Sequence, residues 1–280
     1  MGTSHRHKPS GSPNWGTASK AITQIAKDIS ESDSLSNNPP KVLSPQKIAK
    51  RQAALGKRIS HSYHHAVRDI VRAAGGRNAV TTGMSRVIGH SGIFYASTFT
   101  STFQEIAEQG LNLWVKSRGI DSIEGKTIKD VIDLLSTFMN DYFTGLDDTA
   151  AREALEAVND MVENQVSLNG GDYDKTFQEI VSSELIKDYI DVFFGVYIYD
   201  HLSQSFSEKL QKNYGLEEAN AIMMEIKDLI IDDVKRGFNN RTSGQIDWKG
   251  EEGKKFISQE FDRIIQILTD NEDRGSRLHC

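Results

Sequence analysis

From residue 103 to residue 268 the chain spaces its apolar side chains three and four positions apart, the period of a helix that buries one face. Phe103, Ile106, Ala107, Gly110, Leu111 and Trp114 make one stripe, and Ile128, Val131, Ile132, Leu135, Met139, Tyr142 and Phe143 make a second behind Thr127 as cap. A third runs through Ala151, Ala154, Leu155, Val158, Met161 and Val162, with Asp147 or Asp148 as its cap; a fourth starts near Thr176 and takes in Phe177, Ile180, Val181, Ile186, Tyr189, Ile190 and Phe193. Two more follow, Ala219 to Ile230 and Phe256 to Leu268. Only Phe193 to Tyr199 could be a buried strand. Gly195 alone interrupts a longer helical pattern there, so it too reads as helix. The spacing predicts an all-α fold, a multi-helix domain preceded by a flexible Gly/Pro/Ser N-terminal tail.

The first hundred residues are less regular. Residues 1–16 hold Gly2, Pro9, Gly11 and Pro13 and no hydrophobic period, the composition of a flexible tail. Residues 17–43 read as a short amphipathic helix, Thr17 to Ile29, and a linker through SESDSLSNNPP. Ser44 followed by Pro45 is a helix start, with a capping side chain before a residue whose missing N–H costs nothing at the first turn. The helical domain is therefore set at 44–270, with 271–280 a frayed C-terminus. Ile59, Tyr63, Ala66, Val67, Ile70, Val71 and Ala74 line one face of its first helix, which Gly75 and Gly76 end. The next stretch, GGRNAVTTGMSRVIGHSGIFYASTFTSTF, is rich in small residues yet carries Val87, Ile88, Ile93, Phe94 and Tyr95; a close-packed helix pair or an ordered loop would both fit it.

No apolar run approaches the length of a membrane span, since the richest, Val192 to Tyr199, stops at Asp200. No apolar segment follows the first basic residues, and Cys280 is the one cysteine. Both features point to a cytoplasmic protein without disulfides. The net charge of −6 hides an asymmetry: residues 1–100 carry 14 Lys and Arg against 4 Asp and Glu, and residues 101–280 carry 19 against 35. A basic segment can meet phosphate, an acidic partner or the acidic half of its own chain. The last needs no ligand and is the favoured reading.

Candidate chemistry is sparse. Glu124 to Thr127 (EGKT) lacks the upstream glycine spacing and strand of a phosphate loop and reads as a helix cap. His61, His65 and Asp69, at i, i+4 and i+8, would line one helix face, but Ser62 stands where a zincin's glutamate would be, so no metal site is assigned. Asp172 and Asp174 lack the remaining ligands of a calcium loop and read as turn and cap residues. No nucleophile elbow is present. The chain is read as a non-enzyme without a cofactor. The alternative activity is nucleic-acid binding by the basic segment 47–86, with Lys50, Arg51, Arg58, Arg68, Arg72, Arg77 and Arg86 meeting phosphate; the scarcity of aromatic residues for base stacking there counts against it.

The N-terminus is the feature that packing does not absorb. Methionine before glycine is normally removed, which exposes the α-amine of Gly2, unhindered and with a reference pKa of about 7.7 to 8.0. Arg6 stands where a myristoylation signal needs Ser or Thr. MGTS at the start, a Gly/Pro/Ser tail ending in PNWG (Pro13 to Gly16), then the basic small-residue stretch AAGGRNAVTTGMSRVIGHSG before an acidic helical body, together resemble the QatB family, partner proteins in bacterial anti-phage defence operons. This chain departs from the family's usual tail in its HRHK after MGTS and its fewer prolines before the tryptophan. The resemblance implies that a QueC-like enzyme attaches a deazaguanine base to Gly2, with Thr3, Ser4, Pro13 and Trp15 recognised by that enzyme. It also implies operon partners, an ATPase and a TatD-like nuclease, and a role as substrate and effector component.

Overall fold

A computed structural model describes residues 13–40, 43–85, 87–139, 145–182, 184–236 and 246–269. Among them there are eleven helices and no strand. In chain order these are α1 (Pro13–Asn37), α2 (Pro45–Ala73), α3 (Arg77–Thr81), α4 (His90–Gln109), α5 (Leu111–Ser117), α6 (Ile128–Met139), α7 (Leu146–Leu168), α8 (Tyr173–Ser182), α9 (Leu185–Tyr214), α10 (Leu216–Arg236) and α11 (Glu251–Thr269). The all-α reading holds, and Phe193 to Tyr199 lies within α9 as helix.

The core is organised around α9, which packs against α7 and α10 and also meets α4, α8 and α11. Its Phe193, Phe194 and Tyr197 are fully buried. Phe194 stacks on Phe261 of α11 with centroids 4.4 Å apart, and Phe103 of α4 meets Phe177 of α8 at 5.1 Å. Such large aromatic side chains, buried in mutual contact, each remove a large apolar area from water, and their ring pairs add to that burial.

Two long stripes turn out to be pairs of helices. Phe103 to Trp114 keeps its period across Gly110, yet the backbone there takes φ 82°, which ends α4. Asp174 then accepts the Leu111 N–H at 2.8 Å and so caps α5. The stripe from Thr176 to Phe193 is likewise divided, between α8 and α9. The small-residue stretch resolves into the five-residue α3, a turn, and α4. Thr127 and Asp130 form a reciprocal cap on α6, as the EGKT reading requires: the Asp130 N–H donates to Thr127 Oγ1 at 3.1 Å and the Thr127 N–H to Asp130 Oδ2 at 2.9 Å. Asp172 caps α8 by accepting the Lys175 N–H at 2.9 Å.

The N-terminal part corrects the sequence boundaries. The helix expected from Thr17 to Ile29 runs from Pro13 to Asn37, taking in the end of the expected tail and the first part of the expected linker. Apolar contacts explain the extension. Trp15 packs on Phe206 of α9, with ring centroids 6.0 Å apart, and Leu35 is buried near the other end. α1 and α2 lie together as a hairpin. That hairpin is tied to the body through His64, whose Nδ1 meets the Leu268 carbonyl oxygen at 2.9 Å and whose Nε2 lies 3.3 Å from Asp233.

Candidate functional site

The first candidate region is the cationic face of α2. Arg51 donates to Glu31 through Nε at 2.9 Å and Nη2 at 2.6 Å, and Arg58 reaches the buried Asp28 at 2.8 Å. Arg72 meets Asp69 at 3.5 Å, and Arg77 binds Asp262 of α11 with both arms, at 2.6 and 2.5 Å. Self-neutralisation is thus real, but it mostly takes another route than expected. Of these arginines only Arg77 crosses to the acidic half; Arg51, Arg58 and Arg72 use acids from the first hundred residues. Lys50 is exposed, Arg68 sits against His65 at 3.0 Å, and Arg86 lies outside the described residues.

These pairings separate residues that sequence alone treats alike. Arg58→Glu would face the buried Asp28 with a like charge and is expected to lower the melting temperature by several degrees. Lys50→Glu, with no acid partner among the described residues to lose, should leave it unchanged. Thermal melts followed by circular dichroism check both.

His61 and His65 meet edge to face with centroids 4.4 Å apart, while Asp69 turns to Arg72. The three do not converge. Among the described residues no group of three or more His, Cys, Asp or Glu side chains could hold a metal ion. Gly2, Thr3 and Ser4 lie outside the described residues. Pro13 opens α1, and Trp15, expected as a recognition residue for a partner enzyme, is half-buried with its ring tilted against the chain's own Phe206.

The second region is a buried polar node that the sequence did not reveal. Asp147, in the first turn of α7, does not cap its own helix. Its Oδ2 accepts the Ser91 N–H at 2.8 Å and its Oδ1 the Gly89 N–H at 3.3 Å, so it caps α4 from across the fold. Tyr197 donates its hydroxyl to the same carboxylate, and His201 Nε2 stands 3.1 Å from it. Burial pushes the Asp147 pKa up, but His201, the Tyr197 hydroxyl and the Ser91 N–H together outweigh it and hold the carboxyl below its ordinary value. Next door, Asp148 accepts the Tyr95 hydroxyl at 3.1 Å and pairs with Arg152 at 2.8 Å.

The glycines of GHSG are explained by this node. Gly89 has φ 112°, and a Cβ there would lie 2.1 Å from the Val80 carbonyl oxygen. At Gly92 a Cβ would stand 2.7 Å from the Tyr197 ring. Only glycine lets α4 begin this close to α3 and α9. A lone pair of aspartates before a helical stripe looks like a local cap, so no one-dimensional signal could have assigned Asp147 to a helix more than fifty residues upstream.

Fold and sites together define a protein that is all-helical over its described residues, with a basic N-terminal hairpin set on a helical body. No helix among the described residues is long and apolar enough to cross a membrane. A family model described as QatB, Qat anti-phage system associated protein, matches residues 75–268. The chain belongs to the QatB family. No curated protein and no solved structure matches it. The matched segment starts after α2, so the body carries the family relationship and the hairpin lies outside it.

Proposed function

We propose that this chain is the non-enzymatic, covalently modified component of a Qat anti-phage defence system, with the α-amine of Gly2 as the acceptor for a deazaguanine base attached by a QueC-like enzyme. The observation that carries the reading is the meeting of two separate resemblances in one chain, the family match over 75–268 and the MGTS tail that lies outside it. An operon ATPase and a TatD-like nuclease are the further partners it implies. The chemistry favours that amine over every lysine. An α-amine with a reference pKa of about 7.7 to 8.0 is partly deprotonated at neutral pH, whereas a lysine such as Lys8 at about 10.4 is not. Eleven residues, Gly2 to Ser12, precede α1 once Met1 is removed, and a chain of that length spans at most about 40 Å from its root at Pro13. That reach suits a substrate segment entering another protein's active site. Thr3, Ser4, Pro13 and Trp15 are its recognition residues, with Trp15 at the root of the segment, half-buried and in contact with Phe206.

Intact-mass and peptide mass spectrometry of the chain co-expressed with its operon neighbours tests this. The expected N-terminal peptide begins at Gly2 and carries added mass on its α-amine. Gly2→Leu should retain Met1, abolish the modification and remove protection against phage while the helical body stays folded. An unmodified N-terminus in protein taken from a fully protective operon overturns the proposal.

A further inference from the structure

Helix α2 carries seven lysines and arginines and one acid, Asp69, which is buried. At about 100° per residue, Lys47, Lys50, Arg51, Lys57, Arg58, Arg68 and Arg72 all fall within a sector of about 120°, and His61 and His65 lie in the same sector. From Lys47 to Arg72 this face runs about 37 Å along a single helix. A solvated helix face ordinarily mixes signs, because like charges at i, i+3 and i, i+4 weaken the helix. Here Lys47 is followed by Lys50 and Arg51, and Arg68 by Arg72, with no exposed acid of α2 between them. Arg51 and Arg58 are drawn to α1 by Glu31 and Asp28, and Arg72 pairs with Asp69 of α2 itself. Lys47, Lys50 and Lys57 are exposed and have no acid partner among the described residues.

From this face we infer that the α1–α2 hairpin is a docking surface for the phosphate backbone of duplex DNA, bound without regard to sequence. A straight row of cations on a rigid helix complements a straight, evenly charged polyanion, and duplex DNA presents one charge per about 1.7 Å of axis. The face holds no Phe, Tyr or Trp: Tyr63, the one aromatic residue of α2 besides its histidines, is fully buried. Base stacking, on which single-strand binding relies, is therefore not available to it. The chain as a whole is acidic, with net charge −6, so affinity for DNA has to come from this local face and not from overall charge. The inference is independent of any modification at Gly2.

Fluorescence polarisation of the full chain with a labelled mixed-sequence duplex of about 30 base pairs tests it. If the three free lysines each neutralise one phosphate, affinity should fall roughly 40-fold between about 50 and 200 mM salt. The triple variant Lys47→Gln, Lys50→Gln, Lys57→Gln should weaken binding at least ~10-fold at the lower salt and flatten the salt dependence by about three phosphates. Its melting temperature should be unchanged, since none of the three has an acid partner among the described residues, and a matching melting temperature separates lost affinity from lost folding. A control with equal charge removed elsewhere, Lys116→Gln, Lys175→Gln, Lys254→Gln, should bind as the parent does. The inference is overturned by no binding at the lower salt, by a triple variant that binds like the parent, by a control that loses as much, or by tighter binding to single strands, duplex RNA or anionic vesicles.

Discussion

Asp147→Ala is expected to cost about 3 to 5 kcal/mol of folding stability, the range for stripping one partner from a buried charged cluster. The loss does not come from one bond. With the carboxylate gone, the Ser91 N–H, the Tyr197 hydroxyl and the His201 ring are left inside the protein without their acceptor, the Gly89 N–H keeps the Tyr197 oxygen alone, and each unpaired buried group carries its own desolvation cost. Asp147→Asn keeps the shape but turns one oxygen into a donor among donors, so it should recover only part of the loss. The node also predicts an acid limb. The folded-state pKa of Asp147 lies below its unfolded value, so its contribution is fully present above about pH 4 and disappears as pH falls through the folded-state pKa. Urea denaturation of parent and variants at neutral pH measures the first effect, and the pH dependence of the parent measures the second. A loss below about 1 kcal/mol in the alanine variant would mean that α4 is held by its apolar contacts alone.

The body of the fold was legible because helical burial repeats along the sequence. Ile180, Ile190 and Phe193 are buried as their spacing requires. What periodicity cannot register is a break that preserves phase. Gly110 ends one helix and starts another while Ile106, Leu111 and Trp114 all remain in the core, so the stripe reads straight through. Charge asymmetry was equally visible, and its resolution was not. Asp28 and Glu31 lie within the basic half and look like minor exceptions to it, yet hairpin pairing brings them against Arg58 and Arg51. The node at Asp147 was hidden for a related reason. Its four contacts come from α4 and α9 and from the turn before α4, and each residue taken alone has an ordinary local role. The GHSG glycines were the trace it left in the sequence, since small residues clustered before an apolar helix mark a close approach without saying to what.

Asp200→Asn is expected to stabilise the protein by an amount that grows as pH rises from about 4 and is complete above about 7. Asp200 lies on α9 with 6% of its surface exposed, and its Oδ2 has no hydrogen-bond partner. Burial raises its pKa, Glu153 and Glu156 across on α7 raise it further, and Lys227 on α10 pulls it back; the outcome is a carboxyl pushed up to about 7. In the unfolded chain the same group titrates near 3.9. Between roughly pH 4 and 7 the folded chain therefore holds a proton that the unfolded chain has released, and stability falls as pH rises through that window. Asparagine carries no charge to bury, so the variant escapes this decline. The gain should be on the order of 2 to 4 kcal/mol near pH 8 and close to zero near pH 4. Asp191, pushed up to about 8 chiefly by burial, follows the same direction but gives no such clean gain. It accepts from Arg263 at 2.8 Å beside Glu260, and its removal would take a partner from that guanidinium. Melting curves of the parent and Asp200→Asn from about pH 4 to 8 decide the matter. Curves that diverge as pH rises, with the variant higher, are the expected result; a variant less stable than the parent near pH 8 would mean that the ionised carboxylate is satisfied by Lys227 in the folded state.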